Sequence, residues 1–302
     1  MRAPPTIGFI GLGVMGEPIC RNIATKTPCR MIAHDLSPAP LERLRPDGVE
    51  SAESLQALIT EADIVMASLP GGLEVEAVVA GPDGIAEHGR KGQIVVDLST
   101  TPVDLTRRLA AELAQKGIRF ADAPVARTRQ AAIDGTLSIM VGAEAELFGE
   151  LQPLLGAAAS EITHCGPIGC GQVVKVLNNM VLFQTGVALA EALAIGTAAG
   201  VDGATLFETL SKGSADSFAL RNHGMKAMLA SAFPQGAFPT DYAIKDADYA
   251  LALARDMGVT AHGGQLAHDI LGAASAAGFG DRYWPVVAKI VKLGQVKKVR
   301  SD

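Results

Sequence analysis

The sequence predicts a doubly wound α/β domain over residues 1–165 and an all-α domain over 166–302, joined by a long helix at about 168–199. Three observations carry that prediction. Short apolar runs alternate with amphipathic stretches through the first 165 residues. The alternation stops after "CGPIGCG" (165–171). The next apolar stretch, "VVKVLNNMVLFQTGVALAEALAIG" (173–196), is far too long for a strand.

Taken in order, the strands are "TIGFIG" (6–11), "CRMIAHD" (29–35), "ADIVMASLP" (62–70), "GQIVVDLST" (92–100), "GIRFADAPV" (117–125) and "TLSIMVG" (136–142). Several are continuous apolar runs that end in polar or Gly/Pro residues, as strands buried on both sheet faces do. Between the fourth and fifth, "TPVDLTRRLAAELAQKG" (101–117) has helical periodicity, with Thr101 to cap it, Pro102 in its first turn and Gly117 to end it. Beyond 172 the chain reads as helices broken at 199–203, 212–217, 233–239, 258–264 and 278–281. The cleft between the two domains is the expected active site.

Composition narrows the class. With 48% hydrophobic and 19% charged residues in a chain of 302, a packed globular protein is expected. The net charge of −6 supplies no basic stripe for nucleic acid, and Lys289, Lys292, Lys297, Lys298 and Arg300 read as a solvated C-terminus. The long apolar stretch carries Lys175, Gln184, Glu191 and two Asn, so no membrane span is expected. The N-terminal apolar run is interrupted by Glu17 and lacks a clean cleavage site, which makes a cytoplasmic location the default. Cys20, Cys29, Cys165 and Cys170 read as reduced thiols, and "HCGPIGC" (164–170) lacks zinc-ligand spacing, so no metal is expected.

Gly11-Leu12-Gly13-Val14-Met15-Gly16 has the G-x-G-x-x-G spacing between a predicted strand and a predicted helix. Gly11 permits a tight turn, Gly13 lets a pyrophosphate approach backbone, and Gly16 allows close helix–strand packing. The helix start offers unpaired N–H groups and a positive dipole end to the phosphates. This is a Rossmann-type dinucleotide site. Asp35 ends the next strand, 19 residues beyond Gly16. Its carboxylate would take ribose hydroxyls and repel a 2′-phosphate, and no Arg follows it in "HDLSP", so NAD(H) is expected over NADP(H). Leu69-Pro70 and Ser99-Thr100 sit at strand ends where an open parallel sheet places ligands, although Ser99 and Thr100 serve equally well as structural caps. Gly171, Lys175 and Asn179 form an i, i+4, i+8 stripe, with Gly171 leaving room above the helix for a ligand and Lys175 and Asn179 pointing into it. The alternative for Lys175 is a lysine reaching past apolar neighbours to water.

These motifs, together with "GFIGLGVMGEPICRNI", "DLSTTPVD", "DAPV", "AAIDGTLSIMVG", "GCGQVVKVLNN" and "YAIKDADYALALA", occur in order along nearly the whole chain. The set resembles the β-hydroxyacid dehydrogenases, a family that includes 3-hydroxyisobutyrate dehydrogenase and tartronate semialdehyde reductase. The resemblance implies a Rossmann domain, a helical domain, Lys175 as the catalytic residue, and Asn179, with Asn178 beside it, as a substrate ligand. It further implies that Lys245 lies near the cofactor, that Asp246 supports it, and that the chain forms a homodimer or homotetramer. Hydride leaves or reaches a carbon bonded to oxygen, so a proton must leave or reach that oxygen. Lys175 would carry it, its pKa lowered from about 10.4 by desolvation and by the nicotinamide cation.

The chain departs from the family where the substrate's acid group is received. Members commonly follow "D-x-P-V" with Ser-Gly-Gly; here the residues are Ala126, Arg127 and Thr128. An Arg there resembles the sulfolactaldehyde reductases, and a guanidinium fork beside a hydroxyl suits a three-oxygen anion or a carboxylate. A plain surface Arg is the alternative. Leu182 stands where that group has a hydroxyl residue, and "GFGDRYWP" (278–285) is less polar than the family run. The expected substrate is a small anionic hydroxy acid or aldehyde: 3-sulfolactaldehyde, 3-hydroxyisobutyrate, or succinic or tartronate semialdehyde. A 6-phosphogluconate dehydrogenase would need a longer helical domain, and imine reductases generally replace the lysine. A non-catalytic nucleotide-binding scaffold remains the reading of another class.

Overall fold

The structure, a computed structural model, describes residues 4–292. Lys297, Lys298 and Arg300 of the basic tail lie outside these residues. Two compact units divide after Lys175, inside the long helix.

Unit 1 is the parallel-sheet domain. Its elements run β1 (Thr6–Ile10), α1 (Gly16–Lys26), β2 (Arg30–His34), α2 (Pro38–Leu44), β3 (Val49–Ser51), α3 (Leu55–Glu61), β4 (Ile64–Ala67), α4 (Gly72–Ala80), α5 (Ile85–His88) and β5 (Ile94–Asp97). They continue with α6 (Val103–Gln115), β6 (Arg119–Asp122), β7 (Val125–Ala126), α7 (Arg129–Asp134), β8 (Leu137–Gly142), α8 (Ala145–Leu155) and β9 (Ala159–Gly166). The strand order is β3-β2-β1-β4-β5-β6-β8-β7, with β9 also on β8. Pairing is parallel from β3 through β6, antiparallel where β8 meets β6 and β7, and parallel again from β8 to β9. Strand order reverses between β1 and β4, which opens a crevice at their C-terminal ends.

The apolar runs are continuous because both faces are covered. Ile32, Val65, Val95 and Phe120 pack on one face with Leu58, Val75, Val79, Leu109 and Leu113. Their chain neighbours Met31, Met66, Val96 and Ala121 pack on the other with Ile19, Ile23, Leu147 and Leu151. This is the two-residue strand period with no wet side. All six expected strands form, each somewhat shorter than its apolar run. The sequence reading lacked β3, β7 and β9. β9 is polar and exposed along much of its length, so neither alternation nor an apolar run marks it. Thr101 does not cap α6: Pro102 takes that position, and the buried Thr101 hydroxyl donates to Asp97 instead.

A long helix, α9 (Cys170–Ala198), starts in unit 1 and continues into unit 2. It is long and apolar enough, by length and composition, to cross a membrane. Unit 2 adds α10 (Gly203–Leu210), a π-helical stretch over Leu220–Met228, α11 (Thr240–Asp256), α12 (His262–Ala274) and α13 (Val287–Lys292). Its core centres on Trp284, which packs edge-on to Phe183, 5.3 Å between ring centres. Gly186 makes room for it, since a Cβ there would lie 2.4 Å from the indole. Lys289, expected in a solvated tail, sits over the Phe233 and Phe279 rings at 5.5 and 5.2 Å.

His223 also packs on Trp284, and its Nδ1 shares a 2.5 Å hydrogen bond with the Tyr283 hydroxyl. Burial holds the imidazole down to about 4, with Lys226 adding to the effect. The unfolded chain therefore binds a proton that the fold refuses between about pH 6.5 and 4. Stability is expected to fall on acidification through that window, by roughly 2–3 kcal/mol at its lower end. Urea unfolding from pH 4 to 7 should show this slope in the wild type and a flatter one in His223→Gln.

Candidate cofactor and active site

The turn after β1 follows the three glycine roles. Gly11 has φ +87°, and a Cβ there would lie 2.4 Å from the Ser68 carbonyl oxygen. A Cβ on Gly16 would lie 2.0 Å from the Gly11 carbonyl, whereas one on Gly13 would meet nothing within 4 Å. Gly11 and Gly16 thus close the turn onto β4 and onto itself, and Gly13 presents bare backbone to open space. The Asp35 carboxylate, just past β2, accepts the N–H of Leu12 at 2.6 Å and of Ser37 at 2.8 Å. It fixes the turn while each oxygen keeps lone-pair capacity for ribose hydroxyls. A cavity of about 400 Å³ opens here, lined among others by Gly13, Val14, Asp35, Arg43 and Arg129. A dinucleotide's adenosine and pyrophosphate fit this arrangement: bare backbone for phosphate, a carboxylate for ribose. Leu12 and Met15 turn their side chains to the core and offer only backbone.

A chain of buried hydrogen bonds crosses the C-terminal ends of β4, β5 and β6. The Leu69 N–H donates to the Ser99 hydroxyl at 2.9 Å, and the Ser99 N–H donates to Asp97 at 2.9 Å. Thr101 donates its hydroxyl to Asp97 and its N–H to the Gln172 side chain. The Gln172 amide returns a bond to the Ser99 carbonyl at 2.8 Å. Asp122, ending β6, accepts the N–H of Gly169 at 2.7 Å and of Gln172 at 2.8 Å, which caps α9. Burial pushes the Asp122 carboxyl up to about 6 against these two bonds, with Asp97 adding to the rise. The Ser99 hydroxyl is thus engaged in holding the end of β4. Thr100 is half-buried beside it, and Pro70 is exposed.

Gly171 corrects the sequence reading. A Cβ there would lie 2.4 Å from the Met140 carbonyl oxygen and 2.7 Å from Asp122. The space above it is filled by β8 and β6, so this glycine seats the helix and leaves no room for a ligand. Lys175 follows one turn later and is only 9% exposed.

After β6, Ala126 in β7 pairs with Ser138 of β8, and the Thr128 hydroxyl caps α7 by accepting the Ala131 N–H. Arg127 sits at φ +88°, where glycine is favoured. Its Nη1 donates to the Thr136 carbonyl at 2.5 Å and to the Ser160 hydroxyl at 2.8 Å. In unit 2, Asn179 is buried and donates to Asp246 at 2.7 Å, while its oxygen accepts the Asn178 amide at 3.1 Å. Lys245 pairs with Asp246 at 3.3 Å and lies over the rings of Tyr242 and Tyr249. Among the described residues no cluster of three or more His, Cys, Asp or Glu is placed to hold a metal.

The NAD binding domain of 6-phosphogluconate dehydrogenase matches residues 6–166 as a family profile. A second profile, NAD-binding of NADP-dependent 3-hydroxyisobutyrate dehydrogenase, matches 169–289. The chain is 34% identical to 2-(hydroxymethyl)glutarate dehydrogenase of Eubacterium barkeri over 94% of both chains. The chain belongs to the β-hydroxyacid dehydrogenase family. It is also 34% identical to 3-hydroxyisobutyrate dehydrogenase of Pseudomonas aeruginosa, over 87% of this chain and 90% of that one. The structure of Mycobacterium tuberculosis 3-hydroxyisobutyrate dehydrogenase with L-serine superposes with a TM-score of 0.87 at 29% identity, covering 96% of this chain and 100% of that one. As a β-hydroxyacid dehydrogenase the chain is an oxidoreductase acting on a CH–OH group, with an NAD(P)-binding domain.

Sequence reasoning passed over three residues of this dehydrogenase: Asp97, Asp122 and Gln172. The available signal was an acidic residue closing an apolar run, as in "IVVD" and "RFAD", because a carboxylate at a buried strand end must find donors. Gln172→Leu would leave the buried Thr101 N–H and Ser99 carbonyl without partners. Urea unfolding should register a loss of about 2–4 kcal/mol, against under 1 kcal/mol for the exposed neighbour change Val174→Ala, of the order expected for surface positions.

Proposed function

We propose that the chain is an NAD(H)-dependent dehydrogenase of a small anionic β-hydroxy acid, with Lys175 as general acid–base. The observation that carries this is a lysine 9% exposed one turn into a helix whose first turn is bonded to the strand ends through Asp122 and Gln172. A buried amine held in place can take a proton from an alcohol oxygen as hydride leaves its carbon, and return it on reduction. When bound, the nicotinamide accepts or supplies that hydride. In this reading Asn178 and Asn179 hold substrate, with Asp246 orienting Asn179 and Lys245, and Leu69, Pro70, Ser99 and Thr100 border the cofactor. Asp35 supports NAD(H) over NADP(H): a carboxylate that holds the glycine turn and lines the cavity beside it would disfavour a 2′-phosphate.

The relatives are named for 2-(hydroxymethyl)glutarate and 3-hydroxyisobutyrate, and a third, 32% identical, is an NAD-dependent L-serine dehydrogenase of Pseudomonas aeruginosa, so a hydroxy carboxylate is the first reading of the substrate. Arg127 favours a second, a sulfonate such as 3-sulfolactaldehyde. A residue kept at φ +88° where glycine would be unstrained argues for use of its side chain. Val174, Leu177 and Val181, spaced i, i+3 and i+7 on α9, are 42%, 38% and 59% exposed, an apolar stripe that supports a homodimer or homotetramer formed on that helix. The four free thiols accord with a cytoplasmic location.

Lys175→Ala should lower turnover by about 10²–10⁴ while NADH binding, read by nicotinamide fluorescence, stays close to wild type. Near-normal turnover would remove Lys175 from the chemistry. NADH oxidation with methylmalonate, succinic and tartronate semialdehydes and 3-sulfolactaldehyde assigns the substrate, and silence on all four favours a scaffold. Arg127→Ala should raise KM for the sulfonate more than for the carboxylates; an equal effect on both returns the loop to the ordinary family role.

A further inference from the structure

We infer that Glu17 is a specificity-determining residue that secures the preference for NAD(H) by withholding Arg43 from an adenosine 2′-phosphate. The inference rests on the NAD(H) reading and deepens it. Glu17, Arg21, Asp35 and Arg43 line the same cavity beside the glycine turn. Arg43, near the end of α2, offers the fork geometry that receives phosphate oxygens. One edge of that fork is already taken: its Nη2 donates to Glu17 Oε2 at 2.6 Å and its Nε to Oε1 at 3.0 Å.

Arg21 is held in the same way. Its Nη2 donates to Glu17 at 3.2 Å and its Nε to Asp47 at 2.8 Å. The Glu17 carboxyl is itself held below its usual range, chiefly by the Arg43 hydrogen bond. The residue beside Asp35 supplies no substitute cation, because Leu36 is apolar and 99% exposed.

Two carboxylates therefore act against NADP(H) by different routes. Asp35 repels a 2′-phosphate directly. Glu17 acts through Arg43, occupying the Nε–Nη2 edge of its guanidinium and neutralising its charge, so that a phosphate would have to displace a bidentate carboxylate to use that edge. Removing Asp35 alone relieves repulsion and leaves Arg43 occupied, with Arg129 on the cavity wall present alike in every variant. Removing both frees a guanidinium in the same cavity.

The test measures NADH and NADPH dissociation constants by nicotinamide fluorescence on the full chain, so it requires no knowledge of the substrate. Glu17→Gln alone should change NADH affinity by less than about threefold, since Arg43, the partner it loses, is more than half exposed and such a pair contributes little to the fold. Asp35→Ser/Glu17→Gln should bind NADPH at least roughly tenfold more tightly than Asp35→Ser, in line with one freed charge-assisted bidentate contact. Adding Arg43→Gln to the double variant should abolish that gain. A merely structural role for Glu17 would weaken NADH and NADPH together and would not move their ratio. No gain in the double variant overturns the inference, and a gain that survives Arg43→Gln overturns Arg43 as the acceptor. Wild-type preference for NADPH would instead overturn the NAD(H) reading beneath it.

Discussion

Everything in the candidate site of unit 1 hangs on the carboxylate of Asp122. It closes β6, is fully buried, and accepts two N–H groups from the start of α9. Placing a carboxylate away from water is unfavourable, and its rise to about 6 records that penalty. The unpaired donors and positive dipole end of a helix offset it. Because both partners would otherwise lack bonds, the helix start has one position relative to the sheet. Gly171 and Gly142 enforce the same closeness sterically, since a Cβ on either would press on Asp122. Lys175, a turn further along, inherits that fixed position.

A doubly covered sheet brings the strand ends to a common edge, and the chain gathers its polar groups there. Asp35 binds the glycine turn, Asp97 binds the loop that follows its own strand, Ser99 binds the end of β4, and Asp122 binds the long helix. Each closes a run of apolar residues or directly follows one, so each meets backbone donors rather than water. The result is a scaffold in which the same carboxylates that stabilise the loops also set the charge met by a ligand. Asp35 and Glu17 illustrate this: one fixes a turn, the other ties arginines from two helices, and both line one cavity.

The fold was legible because its signals are local. An apolar run of the right length between helical periods is a buried parallel strand, and glycine spacing after the first of them marks a phosphate-binding turn. The edge strand β9 was not legible, since it is polar and exposed along much of its length and shows neither alternation nor an apolar run. Nor was the true part played by Gly171. From sequence, a missing side chain one turn before a lysine suggests room for a ligand, while in the fold that room belongs to the Met140 carbonyl and Asp122.

By itself, then, the sequence determined the two-part architecture and the dinucleotide turn, because each depends on periodicity or spacing along the chain, and its ordered motifs carried the resemblance to the family. Only the tertiary structure decided which polar residues are already engaged. Ser99 holds a strand end, Thr128 caps a helix, Arg127 leans on Thr136 and Ser160, and Glu17 holds Arg43. Those pairings join residues that are distant in sequence or aimed by backbone geometry, and hydrogen bonds of that kind leave no period to read.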